Sequence, residues 1–527
     1  MRSIRPQAWI LVVFSAILQT FCFPVAGQIS FSRAGICWFA LVPFFIALLI
    51  PDKSGKSLRP LQGAALGYLC GVLWYVGNCS WIYQTMYLYG GMEKPVAFLI
   101  LILFALYLGL YHALFALLLT FFRGRFRSMR NVLLLAPVLW VAVELARARV
   151  TGFPWDLLGN ALIDHAWMTK LAPLGGVMLM SFVVAMANAC FTGIALKPGS
   201  TWYGKCGSIV TIAYFLQLTG TPGRTMPSAG NQTAVMVQEN LSVGATSKSE
   251  KPLTREYELQ QFSELSLHPQ LSSVLSGQRQ QATVVVWPEA PAHLQTNDPA
   301  FRAAMSDLAR RANAPVIAGS LGVDFDNKPA RGYYLYDSAA LFDKSGSYQG
   351  RYDKIHLVPW GEYIPYKQFF SFAQKLTEGA GDMDPGTTRS VFTTNGHTYG
   401  VFVCYESIFG DEVRQFVKSG AEVLVNISDD GWYGDTGAPW QHLNMARMRA
   451  IENRRWVLRS TNTGMTTAID PYGRYTETPR HVRVAYALPF AFESGLTFYT
   501  RHGDWFAYLC AVVALAAVGF SLKPRMN

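Results

Sequence analysis

The chain has 527 residues, of which 51% are hydrophobic and 15% are charged, with a formal net charge of +11. The charged fraction lies well below the roughly 25% typical of soluble globular proteins, which excludes a purely soluble protein. The apolar excess is concentrated before residue 220 and after residue 503, with an ordinary mixed composition between. The positive charge lies mainly in short loops between apolar segments, so it indicates membrane orientation rather than nucleic-acid binding.

Several apolar segments approach the length of about 20 residues that a helix needs to cross a bilayer. They predict about eight spans, at residues 8–25, 34–50, 61–83, 95–122, 131–145, 168–196, 206–219 and 504–522. The first segment, which follows Arg2 and Arg5, has a cleaved signal peptide as its alternative interpretation. The predicted division is a membrane domain at residues 1–225 with seven spans, a soluble domain at 226–490, and a C-terminal span within 491–527.

Basic residues in the short loops predict the orientation of these spans, because cytoplasmic loops carry an excess of Lys and Arg. With a cytoplasmic N-terminus, the cytoplasmic loops hold most of the basic residues, including Arg123, Arg125, Arg127 and Arg130. Seven spans then place the soluble domain outside the cytoplasm. The outer loops at residues 80–92 and 152–160 are rich in aromatic residues, either as an interfacial belt or as the floor of a lipid-facing site.

Cysteine and histidine usage predicts neither disulfides nor a metal site in the soluble domain. Of the eight cysteines, Cys404 alone falls within that domain, so no internal disulfide can form there. The nine histidines show no HxxxH spacing and the chain contains no CxxC.

In the soluble domain, short apolar runs alternate with helical patterns, which predicts a layered α/β domain. The predicted strands are residues 234–237, 283–286, 316–318, 338–342, 398–403, 422–425, 456–460 and 466–469. The predicted helices include residues 253–265, 299–312, 412–418 and 440–452.

One stretch of this domain, YGVFVCYESIFGD at residues 399–411, ends a predicted strand on Cys404 and leads into a predicted helix. A cysteine near the positive end of a helix is expected to have a lowered thiol pKa and a reactive thiolate. A lone cysteine is more often a small buried hydrophobe, so the interpretation depends on the other polar residues of the domain. Glu289 follows a buried strand in VVVWPE, and Lys354 lies in RYDKIHLVP.

The trio of Glu289, Lys354 and Cys404, in this order, resembles the signature of the nitrilase (carbon–nitrogen hydrolase) superfamily. Within that superfamily the chain resembles the membrane-embedded branch, the apolipoprotein N-acyltransferases. The matching segments are VVWPEAP at 285–291, YDKIHLVPWGEYIP at 352–365, VCYESIFGD at 403–411, residues 426–452, RSTNTGMTTAIDPYG at 459–473 and GFPW at 152–155.

The resemblance implies an αββα sandwich and a role for each matching residue. Cys404 would be the nucleophile, Glu289 the general base, and Lys354 the cation that stabilises the oxyanion. Glu362 matches a second glutamate that supports the site, and Tyr405 and Glu406 match the residues beside the nucleophile. No cofactor is implied.

Aromatic residues crowd two further stretches, one beginning at Trp360 and one around Trp432. We predict that they form arms over the bilayer that admit acyl chains; a core position is the alternative. The segment at residues 238–249 departs from the family's QGN(I/V)PQ pattern, since Glu239 replaces the glycine and the later tryptophan is absent. This departure leaves the acceptor specificity open.

The function implied is acyl transfer from a membrane phospholipid, through a cysteine thioester, to the N-terminal amine of a diacylglyceryl-modified apolipoprotein. The expected setting is the bacterial cytoplasmic (inner) membrane, with a monomeric enzyme whose catalytic domain faces the periplasm. One alternative is a membrane-tethered amidase or nitrilase acting on a small C–N substrate. The other is a transporter or binding scaffold with an inert domain, for which Glu144 is the clearest acidic candidate within the spans.

Overall fold

The structure, a computed structural model, describes residues 3–28, 31–201, 203–205, 207–208, 211–212, 230–244, 254–271, 281–289, 294–329, 331–364 and 382–522. The predicted seventh span at 206–219 lies largely outside the described residues. So do residues 365–381, which hold most of the first predicted aromatic arm, and residues 245–249 of the unusual segment.

Helices form the N-terminal part and return at the C-terminus. They are α1 (Pro6–Phe21), α2 (Phe31–Ala34), α3 (Val42–Leu49), α4 (Pro60–Asn78), α5 (Trp81–Gln84), α6 (Lys94–Arg125), α7 (Met129–Ala146), α8 (Ala172–Leu196), α13 (Phe498–His502) and α14 (Trp505–Leu522). Among the described residues, four helical segments are long and apolar enough to cross a membrane: Lys94–Arg125, Met129–Thr151, Met168–Leu196 and Trp505–Leu522. The apolar helices of a membrane protein are therefore present, and the number of eight spans stays a prediction.

Glycines allow helices α4 and α6 to approach each other closely. Gly63, Gly67 and Gly71 recur at every fourth position along one face of α4, and a Cβ atom on any of them would collide with α6 at Thr120, Ala116 or His112. Small residues are what permit such close packing between helices in lipid, where dispersion contacts replace the hydrophobic effect. The close packing of α4 against α6 thus depends on glycines, which have no side chain.

Twelve described strands build two mixed sheets. One has the order β2-β12-β1-β3-β4-β5-β6 and the other β11-β10-β9-β8-β7. The strands are β1 (Gln232–Gln238), β2 (Gln270–Leu271), β3 (Val284–Val286), β4 (Val316–Phe325), β5 (Tyr333–Phe342), β6 (Tyr348–Asp353), β7 (Val391–Thr394), β8 (His397–Val403), β9 (Val423–Ser428), β10 (Val457–Thr461), β11 (Thr467–Ile469) and β12 (Val484–Phe490). Parallel neighbours β1 and β3, and β8 and β9, lie at the centres of the sheets.

The two sheets pack face to face between two layers of helices. Because successive side chains of a strand alternate between faces, Val284 and Val286 of β3 join the core between the sheets, while Val285 faces the outer helices. Helices α9 (Arg255–Leu267) and α10 (Pro299–Ala312) cover the larger sheet. Helices α11 (Gly410–Lys418) and α12 (Ala438–Asn453) pack on the smaller one. The prediction of a layered α/β domain is confirmed.

Some strands have no apolar run and were absent from the prediction. Strand β6, with the sequence YQGRYD, is the edge of the larger sheet and only Tyr352 of it is buried. Strand β5 begins at Tyr333, five residues before the predicted start at Ser338. The prediction missed the first half of this strand, which is only partly buried. An edge strand needs no continuous hydrophobic sequence, since one side is left to solvent.

Buried polar contacts join the helical part to the sheet part. The Trp155 indole N–H donates to Gln441 Oε1 at 2.7 Å, and Gln441 Nε2 donates to the Pro24 carbonyl at 2.6 Å. Arg447 on α12 forms an ion pair with Asp164 at 2.6 Å, and both side chains are almost fully buried. The aromatic loop at residues 152–160 therefore packs against the sheet part.

We predict that Asp164→Ala strongly destabilises the protein, because it leaves the Arg447 guanidinium buried without its carboxylate. Breaking a buried ion pair from one side costs about 3–5 kcal/mol. Thermal unfolding in detergent micelles measures the effect. The matched control is Asp307→Ala, which removes a carboxylate with 56% of its side chain exposed that pairs with Arg310 and Arg311 on the surface. Equal shifts for the two variants would contradict the prediction.

Candidate active site

Cys404 lies at the end of strand β8, where the backbone turns sharply. Its φ of +48° is in the left-handed region, and a 3₁₀ turn, Cys404–Ile408, begins at this residue. For a residue other than glycine such a backbone costs about 1–3 kcal/mol and persists only where the surroundings impose it. The turn places the thiol at the carboxyl edge of the parallel strands, next to the ends of β3 and β9.

A buried polar network binds the backbone carbonyl of Cys404. His442 Nε2–H donates to this carbonyl at 3.0 Å, and His442 Nδ1 lies 2.9 Å from Asp430 Oδ1. Arg459 forms an ion pair with Asp430 at 2.7 Å. All three side chains are buried. Local sequence patterns do not single out these residues, because Asp430 follows strand β9, His442 lies in helix α12 and Arg459 lies in strand β10.

Glu406 joins the turn that begins at Cys404 to the segment that carries Lys354. Its carboxylate accepts from the Val403 N–H at 2.7 Å and from the Ile355 N–H at 2.7 Å. It also accepts from the His356 N–H at 3.2 Å and from the Tyr352 hydroxyl at 2.8 Å. Burial raises the pKa of Glu406, and these four donors oppose that rise. The predicted supporting residue is therefore a structural bridge beneath the site.

Three carboxylates surround the ammonium group of Lys354, whose side chain is fully buried. Lys354 Nζ lies 3.0 Å from Glu289 Oε1, 2.9 Å from Asp337 Oδ2 and 2.5 Å from Glu362 Oε1. Burial acts to lower the pKa of Lys354, but the carboxylates, Glu289 first, outweigh it and raise this pKa well above its usual value. The structure thus brings together Glu289, Lys354 and Glu362, as the sequence predicted, and adds Asp337.

Each carboxylate comes from a different part of the domain. Glu289 follows β3, and its second oxygen accepts from the Asp429 N–H at 2.7 Å. Glu362 lies in the loop after Lys354 and accepts from the Val358 N–H at 3.0 Å. Asp337 lies within β5, where Lys354 N–H donates to its carbonyl at 2.9 Å. The predicted strand began only at Ser338 and so left out Asp337. A charged residue inside a strand would have pointed to this position.

The three carboxylates could also coordinate a cation by their spacing. One oxygen of each lies within 4.8 Å of the other two. The ammonium of Lys354 already hydrogen-bonds to all three. The arrangement is therefore an internal lysine–carboxylate cluster, and we assign no metal to it.

The surroundings of the Cys404 thiol oppose its ionisation. Burial raises the pKa of the thiol well above its usual value, the Glu289 carboxylate adds to the rise, and Lys354 opposes it. The expectation of a lowered thiol pKa was wrong, because helix α11 begins only at Gly410 and its positive end does not lie at the sulfur. A nucleophilic Cys404 therefore needs a base, and Glu289 is close enough to interact electrostatically with it.

The aromatic residues predicted at the site lie in loops and short 3₁₀ turns. The Tyr405 hydroxyl donates to the Gly152 carbonyl at 3.1 Å, which ties the turn that begins at Cys404 to the aromatic loop at residues 152–160. Trp360 is half-buried with a φ of +65°, and its N–H donates to the Tyr363 carbonyl at 2.8 Å. The carbonyl of Trp432 accepts from Thr85 Oγ1 at 2.9 Å. A lipid-contacting role for Trp360 and Trp432 stays a prediction.

Two family models match the chain in regions that correspond to its two structural parts. The model described as "Apolipoprotein N-acyltransferase N-terminal domain" matches residues 15–190. The model described as "Carbon-nitrogen hydrolase" matches residues 243–483.

Curated relatives match the chain over nearly its whole length. Apolipoprotein N-acyltransferase of Geobacter metallireducens is 32% identical, covering 99% of this chain and 97% of that protein. The enzyme of the same name from Methylococcus capsulatus is 30% identical, covering 92% of this chain and 94% of that protein. Among solved structures, Saccharomyces cerevisiae Nit3, a member of branch 10 of the nitrilase superfamily, matches with a TM-score of 0.35 and 17% identity, covering 48% of this chain and 88% of that chain.

We predict that Glu406→Gln destabilises the protein and slows reactions of the Cys404 thiol. The amide group of glutamine must face at least one of the donors that Glu406 now accepts from, which leaves a buried N–H or O–H without a partner at a cost of about 1–3 kcal/mol. Thermal unfolding in detergent and the rate of Cys404 alkylation by iodoacetamide measure the two effects. Glu256→Gln on the exposed face of α9 is the control. A Glu406→Gln protein that matches this control in both measurements would refute the bridging role.

Proposed function

The chain belongs to the apolipoprotein N-acyltransferase family, and on that premise we propose that it transfers an acyl chain from a membrane phospholipid to the N-terminal amine of a diacylglyceryl-modified apolipoprotein. The acyl group passes through a thioester on Cys404. Glu289 is the general base and Lys354 the oxyanion-stabilising cation. Glu362 holds Lys354 in place.

The first half-reaction forms the thioester. Glu289 takes the proton from the Cys404 thiol as the sulfur attacks the ester carbonyl carbon of the phospholipid. The ammonium of Lys354 stabilises the oxyanion of the tetrahedral intermediate. The intermediate collapses by breaking the ester C–O bond, and the leaving alkoxide takes the proton from Glu289. The products are the acyl-Cys404 thioester and a lysophospholipid.

The second half-reaction forms the amide. The α-amine of the acceptor's N-terminal cysteine attacks the thioester carbonyl and gives a proton to Glu289. Breaking the C–S bond releases the Cys404 thiolate, which regains the proton from Glu289. The sequence of two transfers through a covalent intermediate predicts ping-pong kinetics.

One observation carries this proposal: a buried thiol on a strained turn lies beside a carboxylate–lysine cluster. The thiol needs a base because burial raises its pKa, and Glu289 supplies one that Lys354 and the Asp429 N–H orient. The lysine supplies positive charge where the oxyanion would develop. These are the elements that acyl transfer through cysteine requires.

Contact with the membrane loops supports a lipid donor over a small amide. Tyr405, next to the nucleophile, donates to Gly152, and Trp155 packs 5.9 Å from His442, ring centre to ring centre. Residues beside the nucleophile thus share one apolar core with the helices. Such a setting limits water, which would otherwise hydrolyse the thioester. The relatives named as acyltransferases cover this helical part as well, so the amidase alternative is not favoured.

The proposal includes the arrangement in the membrane. We infer about eight spans in the bacterial inner membrane, with the boundaries at residues 225 and 490, a periplasmic catalytic domain and a monomeric enzyme. The bias of basic loop residues supports the orientation. No cofactor takes part in either half-reaction.

We predict a covalent acyl adduct on Cys404 when the purified protein is incubated with phospholipid and no acceptor. Mass spectrometry of the Cys404 peptide should show the added acyl mass, and hydroxylamine should remove it because thioesters are cleaved by this amine. A peptide beginning with diacylglyceryl-cysteine should discharge the adduct and appear as the amide.

Three variants accompany the adduct experiment. Cys404→Ala should form none, and Glu289→Gln should form it more slowly by about 10²–10⁴-fold, the size of a lost general base. Cys510→Ala, which removes a thiol from helix α14, should behave like the unaltered protein. Phospholipid that stays intact with no adduct on Cys404 would overturn the proposed reaction.

We predict that the catalytic domain is reached from outside the cytoplasm. A cysteine introduced by Asp307→Cys, at an exposed position of α10, should react with a membrane-impermeant maleimide in intact spheroplasts. A cysteine introduced by Lys56→Cys, in the exposed loop before α4, should react only after lysis. The reverse pattern would invert the orientation.

A further inference from the structure

The cluster around Lys354 holds more acidic groups than its cation can balance. Glu289, Asp337 and Glu362 all approach the same ammonium within 3.0 Å, and their side chains are 12%, 5% and 12% exposed. Three ionised carboxylates and one ammonium would leave two uncompensated negative charges in a buried site. Carboxylates that share a site resolve this conflict when one of them keeps its proton.

The hydrogen-bond donors around each carboxylate indicate which one keeps the proton. Glu289 accepts from Lys354 and from the Asp429 N–H, and Glu362 accepts from Lys354 and from the Val358 N–H. For the Asp337 carboxyl group, the described residues provide one such donor, Lys354. Because donors stabilise the ionised form, Glu289 and Glu362 are better suited to carry the negative charge than Asp337.

We propose that Asp337 is a neutral, protonated positioning residue that leaves one N–H of Lys354 weakly bound and ready for the oxyanion. The oxyanion in this proposal rests on the proposed function, whereas the location of the proton does not. Asp337 acts through Lys354 and does not touch the substrate.

The donor count of the lysine explains why a neutral partner is useful. An ammonium group has three N–H donors, and Glu289, Asp337 and Glu362 occupy all three. The ammonium is attracted to an ionised carboxylate by the full interaction between opposite charges, which a neutral carboxyl group lacks. The bond to a neutral Asp337 is therefore the one that Lys354 exchanges most readily for a developing oxyanion.

The groups that face Asp337 support its neutral form. Burial raises the pKa of Asp337 well above its usual value; Lys354 opposes the rise, and Glu289, within hydrogen-bonding range, adds to it. Asp429, beyond the end of β9, also interacts with Asp337, and burial raises its own pKa to about 7. Burial likewise raises the pKa of Glu362, an effect that Lys354 and the Val358 N–H oppose. The charged groups facing Asp337 are thus Glu289, Lys354, Glu362 and Asp429.

The sign of the pH dependence follows from linkage. An Asp337 whose pKa is raised on folding binds a proton in the folded state that the unfolded chain has released at neutral pH. Its contribution to stability therefore falls as the pH rises from about 4, the ordinary pKa of aspartate, toward its folded pKa. Asparagine at this position has the shape of the neutral form and needs no proton.

The test compares Asp337→Asn with Asp324→Asn, an exposed aspartate on neighbouring strand β4 that pairs with Arg351. Three quantities are measured on full-length protein in detergent: the infrared band of a protonated carboxyl group at pH 7, the melting temperature from pH 6 to 9, and the rate of acyl-Cys404 formation. We expect Asp337→Asn to lose an infrared band, to melt higher than the unaltered protein with the gap widening as pH rises, and to form the adduct at a comparable rate. Asp324→Asn should keep the band.

An ionised Asp337 predicts the opposite results. Asp337→Asn would then leave the infrared band unchanged, lower the melting temperature, and slow adduct formation by about a hundredfold, as loss of a group essential to oxyanion stabilisation does. Any of these three outcomes, or failure of Asp337→Asn to fold, would overturn the proposal. If the unaltered protein forms no adduct, the acyl-transfer function fails instead, while the infrared band and melting temperatures still locate the proton.

Discussion

The position of one buried ammonium group constrains the whole catalytic part. Lys354 stays charged in the interior only because carboxylates surround it, and those carboxylates are tolerated there only because of the lysine. Glu289, Asp337 and Glu362 are supplied by the end of β3, the interior of β5 and the loop after β6. The register of the larger sheet must therefore be correct before the site can exist, since a shift of one residue would turn Asp337 to the opposite face.

The position of Cys404 depends on a second set of constraints, from the smaller sheet and from the helices. The left-handed backbone of Cys404 is held by His442 at its carbonyl and by Glu406 below the turn. Helix α12, which carries His442, also carries Gln441, which accepts a hydrogen bond from Trp155 of the aromatic loop at residues 152–160. Catalytic geometry and contact with the apolar helices are thus built from the same residues. A soluble copy of the sheet part alone would lose the partners of Gln441 and Tyr405.

Sequence patterns located the residues that follow strong local signals. Cys404 and Glu289 each follow a buried apolar strand, and the segments around Lys354 and Glu362 match a family motif. The sequence prediction missed Asp337 because the apolar pattern starts one residue later. The partner strand β6 is a polar edge strand without hydrophobic periodicity. The expectation of a lowered thiol pKa was wrong for a related reason: a strand–turn–helix pattern shows neither that Cys404 is buried nor that helix α11 begins only at Gly410.

The sequence by itself determined the class of the protein. Apolar helices precede and follow a layered α/β domain, and that domain holds a glutamate, a lysine and a cysteine in the family order. Hydrophobic periodicity and local motifs suffice for this, because both are properties of neighbouring residues. Only the tertiary structure decided that Asp337 shares Lys354 with Glu289 and Glu362, and that His442 holds the nucleophile turn. Charge balance and burial arise from residues far apart in the chain, so they exist only once the sheets and helices have packed together.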